Sequence, residues 1–402
     1  AYVCTDPGVP VFGTKGASVH VQAVLRELVR RGDEVHLLTV RAGGPPPRDL
    51  GAVRVHPLPV GPAGPVGDPA GRETRALAAD VRVGAVLTGL HRQRPLGLVY
   101  ERYGLWGRTA MTWAAEHAVP SLLEVNAPLV REQAVHRVLV HRAEAEQVAA
   151  QALAAAGAVV CVSDPVAAWA RVTMGRAGGH TSRVHTVPNG VDTTRIRPST
   201  RPPAPAAGAP FTVGFVGTLK PWHGVDLLVD AVAALAATDP TYRLLVVGDG
   251  PLAPALHDRV RRDGLAGHTH LTGPVAPDEV PALLHRMDVA VAPYPALDDF
   301  YFSPLKVYEY LAAGLPVVAG AVGDLPAVLG HGACGTLVAP GDPVALAGAV
   351  AELRADPALR TALGRAARRR AVRRHDWSRV VATSLSLARV GRSREVGHAV
   401  VG

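Results

Sequence analysis

The sequence predicts an α/β protein built from two parallel-sheet domains, on three observations. Short β-rich runs alternate with segments of helical spacing, a rhythm typical of a parallel sheet covered by helices on both faces. The alternation occurs in two blocks, which a proline-rich stretch separates. The 402 residues are 48% hydrophobic but only 4% aromatic, which suits small-residue helices packed on valine-rich strands. A chain of this length exceeds one compact core and fits two domains.

The first block, residues 1–196, is predicted to form one domain with seven strands. The strands are predicted at 1–4, 34–40, 53–58, 97–102, 120–126, 158–163 and 184–190. Between the first two strands, apolar residues such as Val21, Val24, Leu25 and Leu28 recur at helical spacing. The order strand, helix, strand predicts a parallel sheet.

A linker and a second domain follow. Residues 197–210 contain five prolines and cannot hold a regular element, so they are predicted to be a linker. The second domain, 211–375, is predicted to have a helix over 224–237 and six strands, at 211–217, 242–250, 268–273, 287–294, 316–320 and 335–340. Residues 376–402 are predicted to be a C-terminal helix.

Composition limits the classes of function. The net charge of +8 suits an anionic partner, such as a nucleotide diphosphate or a membrane surface. Nucleic acid is excluded as a partner, because no helix-turn-helix, zinc-finger or basic–aromatic pattern occurs. No apolar run reaches the roughly 18 residues of a membrane span, and no secretory signal is visible, so the expected location is cytoplasmic. Three scattered cysteines fit neither disulfides nor a zinc site, and are predicted to be buried.

The first candidate site is the glycine-rich turn that follows the first strand. Lys15 and Gly16 lie where a helix begins, and the N–H groups at such an end attract an anion. The spacing matches neither GxGxxG nor GxxxxGK[ST], so no standard dinucleotide or P-loop site is predicted. An ordinary strand-to-helix turn is the alternative.

The second candidate site follows the strand at 211–217. Gly217, Thr218, Lys220 and His223 lie at the carboxyl end of that strand, the edge where ligands bind in open α/β sheets. Trp222 beside them is interpreted either as a ligand contact or as a packing residue.

The third candidate site is a helix start near residue 303. Ser303 is predicted to be the N-cap and Pro304 the first helical residue, with Leu305 and Lys306 in the first turn. Free N–H groups with Lys306 beside them make a clamp for a diphosphate. Glu309 can accept hydrogen bonds from ribose hydroxyls, or alternatively pair with Lys306.

The distribution of lysine supports these three sites. Only three of the 42 basic residues are lysines, and Lys15, Lys220 and Lys306 each fall in one of the three motifs. A chain that uses arginine almost everywhere else keeps the compact ammonium group at these positions.

With these motifs in view, the chain resembles the family 4 glycosyltransferases of the GT-B fold over roughly residues 1–380. The resemblance is carried by GTKGAS, VPNGVD, GFVGTLKPWHGVDLLVDA, VVGDGP, VAPY and SPLKVYEYLAAGLPVVAG. It implies two Rossmann-like domains facing across a cleft, the first binding the acceptor and the second a nucleotide-sugar. It also implies a last helix that returns to the first domain, retention of anomeric configuration, and no metal ion or cofactor. The proposed donor is a UDP-sugar, with GDP as the alternative.

The resemblance assigns roles to matching positions. Gly16 matches the turn glycine near the donor phosphates, and Glu309 matches the ribose-binding glutamate. Ser303, Leu305 and Lys306 match the turn that holds the diphosphate.

Several positions depart from the family pattern. Tyr301 stands where many members have a second glutamate, Thr218 where many have arginine, and His223 where many have lysine. Lys220 is predicted to supply the missing charge. Asn126 stands where many members place a histidine against the sugar, so either Asn126 or Glu124 is predicted to contact it.

The sequence therefore predicts a retaining hexosyltransferase that uses a hydroxyl of a small-molecule, natural-product or oligosaccharide acceptor. Lys306, Lys220 and His223 would stabilise the departing diphosphate. A sugar-nucleotide epimerase of the same architecture and an inactive sugar-nucleotide-binding protein are the alternatives. The basic, partly apolar segment 128–142 leaves open a membrane surface with a lipid-linked acceptor, against an ordinary solvated helix face. The oligomeric state is left undetermined.

Overall fold

The computed structural model describes residues 1–61, 68–200, 208–297 and 300–396. Half of the predicted linker, residues 201–207, lies outside these ranges, as do Asp298, Asp299 and the last six residues. The chain divides into two compact units. The first comprises Ala1–Asn189, Tyr301–Ser303 and the chain from Trp377 onward; the second comprises Gly190–Phe300 and Pro304–Asp376.

The first unit contains a seven-stranded parallel sheet within the described residues. Its strands are β1 (Tyr2–Cys4), β2 (His36–Thr39), β3 (Arg54–Pro57), β4 (Val99–Arg102), β5 (Ser121–Val125), β6 (Ala158–Cys161) and β7 (Val184–Thr186). They are ordered β3-β2-β1-β4-β5-β6-β7. Because both faces are covered, the inner strands are almost continuously apolar, as in the buried run of β6.

Helices cover the sheet of the first unit. They are α1 (Gly16–Arg30), α2 (Pro69–Gln93), α3 (Thr109–Glu116), α4 (Leu129–His136), α5 (Arg142–Ala155), α6 (Asp164–Arg176) and the last helix of the chain, Trp377–Val396. That last helix packs on α1, β5 and β6, where Trp377, Val381 and Leu385 join the buried core.

The second unit repeats this architecture with six parallel strands in its described part. They are β8 (Phe211–Val216), β9 (Tyr242–Val247), β10 (Thr269–Leu271), β11 (Val289–Ala292), β12 (Val317–Gly320) and β13 (Thr336–Val338), ordered β10-β9-β8-β11-β12-β13. The remaining helices are α7 (Val225–Thr238), α8 (Ala253–Arg262), α9 (Val280–Leu284), α10 (Leu305–Ala312), α11 (Leu325–Val328), α12 (Pro343–Ala355) and α13 (Pro357–Arg370). We number the helix Trp377–Val396 α14.

The predicted fold class is confirmed, since every strand of both sheets lies inside a range predicted from the sequence. The three cysteines are buried and unpaired, as predicted. Among the described helices, none combines the length and the apolarity that crossing a bilayer requires.

Candidate functional site

The helix that carries the third motif begins one residue later than predicted. Pro304 is the N-cap of α10 and Leu305 its first residue, so Ser303 is not the cap. The reason lies in the backbone, because Pro304 has a ψ of 73°, outside the helical range. Lys306 and Glu309 nevertheless lie within α10, one helical turn apart.

The side chain of Lys306 is buried between two aromatic rings. Its exposed fraction is 8%, and Nζ lies 4.1 Å from the ring centre of Phe215 and 5.1 Å from that of Tyr294. Among the residues that the structure describes, none forms a hydrogen bond with Nζ. Burial lowers the pKa of this ammonium to about 7, and Glu309 partly opposes the shift. A buried ammonium that contacts ring faces is able to bind an anionic group, which would compensate its charge.

Gly217, at the carboxyl end of β8, makes room for this lysine. Its φ is +147°, and a Cβ there would lie 3.2 Å from Nζ of Lys306. Its own N–H is bonded to the carbonyl of Val247. Gly217 therefore serves by close approach and not as an anion-binding donor.

The segment after Gly217 brings further polar groups to the same place. The ring of His223 donates from Nδ1 to the carbonyl oxygen of Thr218. Burial, together with Lys306 and Lys220, lowers the pKa of His223 to about 4. Its ring is therefore neutral at neutral pH. Nζ of Lys220 lies 4.7 Å from the ring centre of Trp222, so Trp222 has a contact within the motif.

Glu309 pairs with an arginine that the sequence analysis did not identify. Nη2 of Arg195 lies 3.8 Å from Oε1 of Glu309, while Nη1 donates to the carbonyl of Pro277. About a quarter of the Glu309 side chain is exposed. Burial raises the pKa of Glu309 to about 6, with Arg195 and Lys306 acting in the opposite direction. At neutral pH the group is therefore mostly a carboxylate, able to accept hydrogen bonds.

The glycine-rich turn of the first unit has an ordered base and an exposed tip. Lys15 is the N-cap of α1 and Gly16 its first residue, and both are exposed. Gln22 fixes the turn from below, because its Nε2 donates to the carbonyls of Val11 and Gly13.

The end of β5 separates the two candidates for the sugar contact. Glu124 is buried, and its Oε1 lies 2.6 Å from Nε2 of His20. Burial raises the pKa of Glu124, but the His20 imidazole and Arg102 outweigh it and hold the pKa below its usual value. Asn126 is partly exposed at the strand end. Of the two, Asn126 alone has a surface that a ligand can reach.

The predicted residues thus fall into two groups. In the second unit, Gly217, Thr218, Lys220 and His223 lie at the end of β8, next to the buried Lys306. Lys15, Gly16 and Asn126 belong to the first unit, as does Ser303.

Four residues with contacts at these positions were not predicted from the sequence: Phe215, Tyr294, Arg195 and His20. The two aromatic residues lie within motifs named above. Phe215 is the second-last residue of β8, and Tyr294 follows the end of β11 by two residues. Nothing local in the sequence marks Arg195 or His20, since their partners are 114 and 104 positions away respectively.

Comparison with known proteins identifies the family. Residues 14–195 match the model described as Glycosyltransferase Family 4, and residues 210–356 match Glycosyl transferases group 1. The chain is 32% identical over 397 residues to a D-inositol 3-phosphate glycosyltransferase from Kineococcus radiotolerans, covering 89% of this chain and 86% of the relative.

Two further matches define how far the similarity extends. The chain is 32% identical over 201 residues to glycogen synthase from Mycobacterium tuberculosis, and the match spans about half of each protein, 50% of this chain and 46% of the relative. The sucrose-phosphate synthase structure from Thermosynechococcus elongatus superposes with a TM-score of 0.71, at 20% identity and 98% coverage of both chains. The chain belongs to the family 4 glycosyltransferases and has the GT-B fold, with two Rossmann-like parallel-sheet domains.

Proposed function

We propose that the protein transfers a sugar from a nucleotide-diphosphate sugar to a hydroxyl group of an acceptor. The proposed donor is a UDP-sugar. The observation that carries this proposal is the Lys306 ammonium, which is buried beside Gly217 and has no hydrogen-bond partner in the described part of the chain. Removing a charge from water is costly unless a counter-charge compensates it. The nucleotide-sugar donor expected for this family carries a diphosphate, which would provide that counter-charge to Lys306.

The donor is proposed to lie along the edge formed by β8 and the start of α10. Lys306 and the free N–H groups of the first turn of α10 would hold the diphosphate. Glu309, one turn further, would accept hydrogen bonds from the ribose hydroxyls, with Arg195 fixing its carboxylate. Lys220 would supply the charge of the arginine that the resemblance implies at the position of Thr218. Ser303, Pro304 and Leu305 would form the turn around the phosphates.

Transfer is proposed to proceed by lengthening of the bond between sugar C1 and the diphosphate oxygen. Negative charge then grows on the diphosphate, and preorganised donors at such a position commonly contribute several kcal/mol. The resemblance implies attack on the face from which the diphosphate leaves, and hence retention. For the first unit, the proposed roles are phosphate binding by Gly16 and Lys15 and sugar contact by Asn126. A natural product, an oligosaccharide or another small molecule is the proposed acceptor.

The first experiment measures nucleotide binding by titration calorimetry. We expect UDP to bind, and GDP is measured for comparison. The variant Lys306→Met should bind UDP at least about tenfold more weakly, because methionine has a volume similar to that of lysine but lacks the buried charge. Arg261→Ala is the matched control, because Arg261 is an exposed cation of α8 paired with Asp258. Equal affinities for wild type and Lys306→Met would sink the proposal.

A second experiment separates transfer from the alternatives. The protein is incubated with a panel of labelled nucleotide-sugars, with and without acceptors. Slow release of free nucleotide supports a transferase, whereas conversion to an isomeric sugar indicates an epimerase. Binding without turnover indicates an inactive nucleotide-sugar-binding protein. Nucleotide release that is unchanged by EDTA would support the proposed metal independence, and its loss would contradict it.

A further inference from the structure

Glu124 lies next to the residue proposed to contact the sugar. Glu124 belongs to β5 and Asn126 follows the end of that strand, so the two side chains are two positions apart and point to the same side. Nε2 of His20, in α1, lies 2.6 Å from Oε1 of Glu124. Glu124 and His20 are buried, whereas Asn126 is partly exposed. A fixed buried pair therefore adjoins an asparagine that a ligand can reach.

Glu124 and Asn126 each have one buried polar atom that lacks a partner. Oε2 of Glu124 is an acceptor and Nδ2 of Asn126 is a donor, and in the described ranges neither forms a hydrogen bond. Burial raises the pKa of Glu124, and the Asn126 amide is among the groups that outweigh burial and hold it below its usual value. Because a buried polar atom without a partner is costly, a hydrogen bond from Nδ2 to Oε2 would stabilise both side chains.

Two tyrosines and an arginine also approach the Glu124 carboxylate. Burial raises the pKa of Tyr2 and of Tyr100, and the negative charge of Glu124 adds to both shifts. Arg102 lies opposite Glu124 in the neighbouring strand. A carboxylate has about four acceptor positions, so these donors leave room for Asn126. The Glu124 carboxylate is therefore a centre that attracts N–H and O–H groups and repels acceptors.

The negative charge of Glu124 determines how the Asn126 amide is oriented. An ionised carboxylate accepts hydrogen bonds and donates none, so it attracts Nδ2 and repels Oδ1. With Nδ2 turned inward, Oδ1 is the polar atom of the amide that is left for a ligand. An asparagine without a charged neighbour could present either atom. The pair of His20 and Glu124 therefore gives Asn126 one chemical role, that of an acceptor.

We propose that His20 and Glu124 are positioning residues, which hold Asn126 so that its Oδ1 accepts a hydrogen bond from one hydroxyl group of the donor sugar. As the bond between C1 and the diphosphate lengthens, the sugar becomes cation-like and its hydroxyls become stronger donors. The hydrogen bond to Oδ1 therefore strengthens toward the transition state and contributes to the rate. The inference rests on the proposed function and deepens it, because it makes one free hydroxyl a requirement of the donor.

The orientation of the amide is tested by NMR without any donor. Asn126 and Asn189 are the only asparagines of the chain, so isotope-labelled asparagine gives two side-chain amide signals, and Asn126→Ala identifies its own by loss. We expect one Nδ2 proton of Asn126 to be shifted downfield by a charge-assisted hydrogen bond. Glu124→Gln should remove this shift, whereas Glu144→Gln, at an exposed position of α5, should keep it. An Asn126 signal that is the same in wild type and both glutamine variants would overturn the proposal.

The contact with the sugar is tested by kinetics. Hydrolysis of UDP-glucose, UDP-galactose and GDP-mannose is measured, and the donor with the highest turnover is then supplied with each sugar hydroxyl replaced in turn by fluorine, which cannot donate. We expect one fluoro analogue to lose at least about tenfold more kcat in wild type than in Asn126→Ala. The comparison removes the inductive effect of fluorine, since both proteins experience it.

The positioning role predicts a separate result. Glu124→Gln should lose the same discrimination, with the dissociation constant of UDP unchanged, because UDP lacks the transferred sugar. His20→Gln, which can still donate to Oε1, should retain most of the discrimination that His20→Ala loses. A purely structural role of Glu124 would instead lower activity toward all analogues alike.

The outcomes separate this inference from the proposed function. Equal fluorine effects in wild type and Asn126→Ala would overturn the inference while leaving the transferase intact, and so would full discrimination in Glu124→Gln. No hydrolysis of any of the three donors by wild type would contradict the proposed function, and the sugar contact with it. Thermal midpoints show whether each variant is folded. Should Glu124→Gln unfold, the comparison with Asn126→Ala, at a partly exposed position, still decides.

Discussion

His223 donates its Nδ1 proton to the carbonyl oxygen of Thr218, which fixes the tautomer of a neutral ring. Nε2 of that ring is consequently an acceptor that offers no proton to a phosphate. The family resemblance implies a lysine at this position, whereas this chain has a neutral acceptor beside Lys306. The charge of the site depends on Lys306 and Lys220.

We predict that His223→Lys strengthens UDP binding by about 1 kcal/mol, roughly fivefold, at neutral pH. The added ammonium would contribute attraction that the neutral imidazole does not. His270→Lys, at an exposed position of β10, adds the same net charge away from the site and is the control. A dissociation constant from calorimetry that is equal for wild type and His223→Lys would mean that the native ring is already cationic.

The lowered pKa of Lys306 predicts a pH dependence of donor binding. Free Lys306 has a pKa of about 7, and a bound diphosphate favours its charged form. Above about pH 7, binding must therefore take up a proton, and affinity for a nucleotide-sugar should fall by up to about tenfold per pH unit. The donor diphosphate does not titrate there, and Glu309, with a pKa of about 6, is already ionised.

Lys306→Met should bind weakly, with no slope in this window. Calorimetry across the range checks both proteins. A slope that persists in Lys306→Met would assign the titration to another group.

Gly224 is predicted to tolerate no side chain. Its φ is +66°, and a Cβ there would overlap the carbonyl oxygen of Pro293. Gly264 has nearly the same φ, +69°, with open space around it. We expect Gly264→Ala to lose about 1 kcal/mol of unfolding free energy from backbone strain alone, and Gly224→Ala at least about 3 kcal/mol. Denaturant unfolding measures both, and similar losses would show that the overlap is relieved cheaply.

Glu101 predicts a pH dependence of stability. The residue is fully buried, and within the described ranges neither carboxylate oxygen has a hydrogen-bond partner. Burial raises its pKa well above the usual value, and Asp80 adds to the shift. The native state therefore retains a proton that the unfolded chain releases near pH 4.3, about the ordinary glutamate pKa. The stability that the neutral form provides is complete below that pH and declines as pH rises.

Glu101→Gln should remove this decline, whose slope for one proton is at most about 1.4 kcal/mol per pH unit. Glu116→Gln, at an exposed position, is the control and should leave the pH profile unchanged. Urea unfolding at several pH values gives both slopes. Identical profiles for wild type and Glu101→Gln would contradict the assignment.

The strands could be predicted from sequence because parallel strands buried on both faces are continuous apolar runs, bounded by glycine or proline. The start of α10 was displaced by one residue, since Pro304 satisfies the pattern of a first helical residue but has a non-helical ψ. The edge at β8 could be located because glycines and a lysine follow that strand.

The partners of the site residues could not be predicted in the same way. Arg195 approaches Glu309, and Phe215 approaches Lys306, only when distant segments fold together. A sequence motif identifies which residue lies in the site, but the protonation state of that residue depends on its burial and on nearby charged groups. His223 is the example, because the same position with fewer neighbours would hold a proton at a higher pH.

Because α14 belongs to the first unit, that unit is formed by two segments far apart in the sequence. The second unit is encoded almost without interruption, whereas the first needs α14, which supplies Trp377, Val381 and Leu385 to its core. A stop codon before Trp377 would uncover apolar surface in the half of the protein farthest from it in sequence. Chimeras with a related transferase must therefore exchange the first unit together with α14, or inherit a mismatched core.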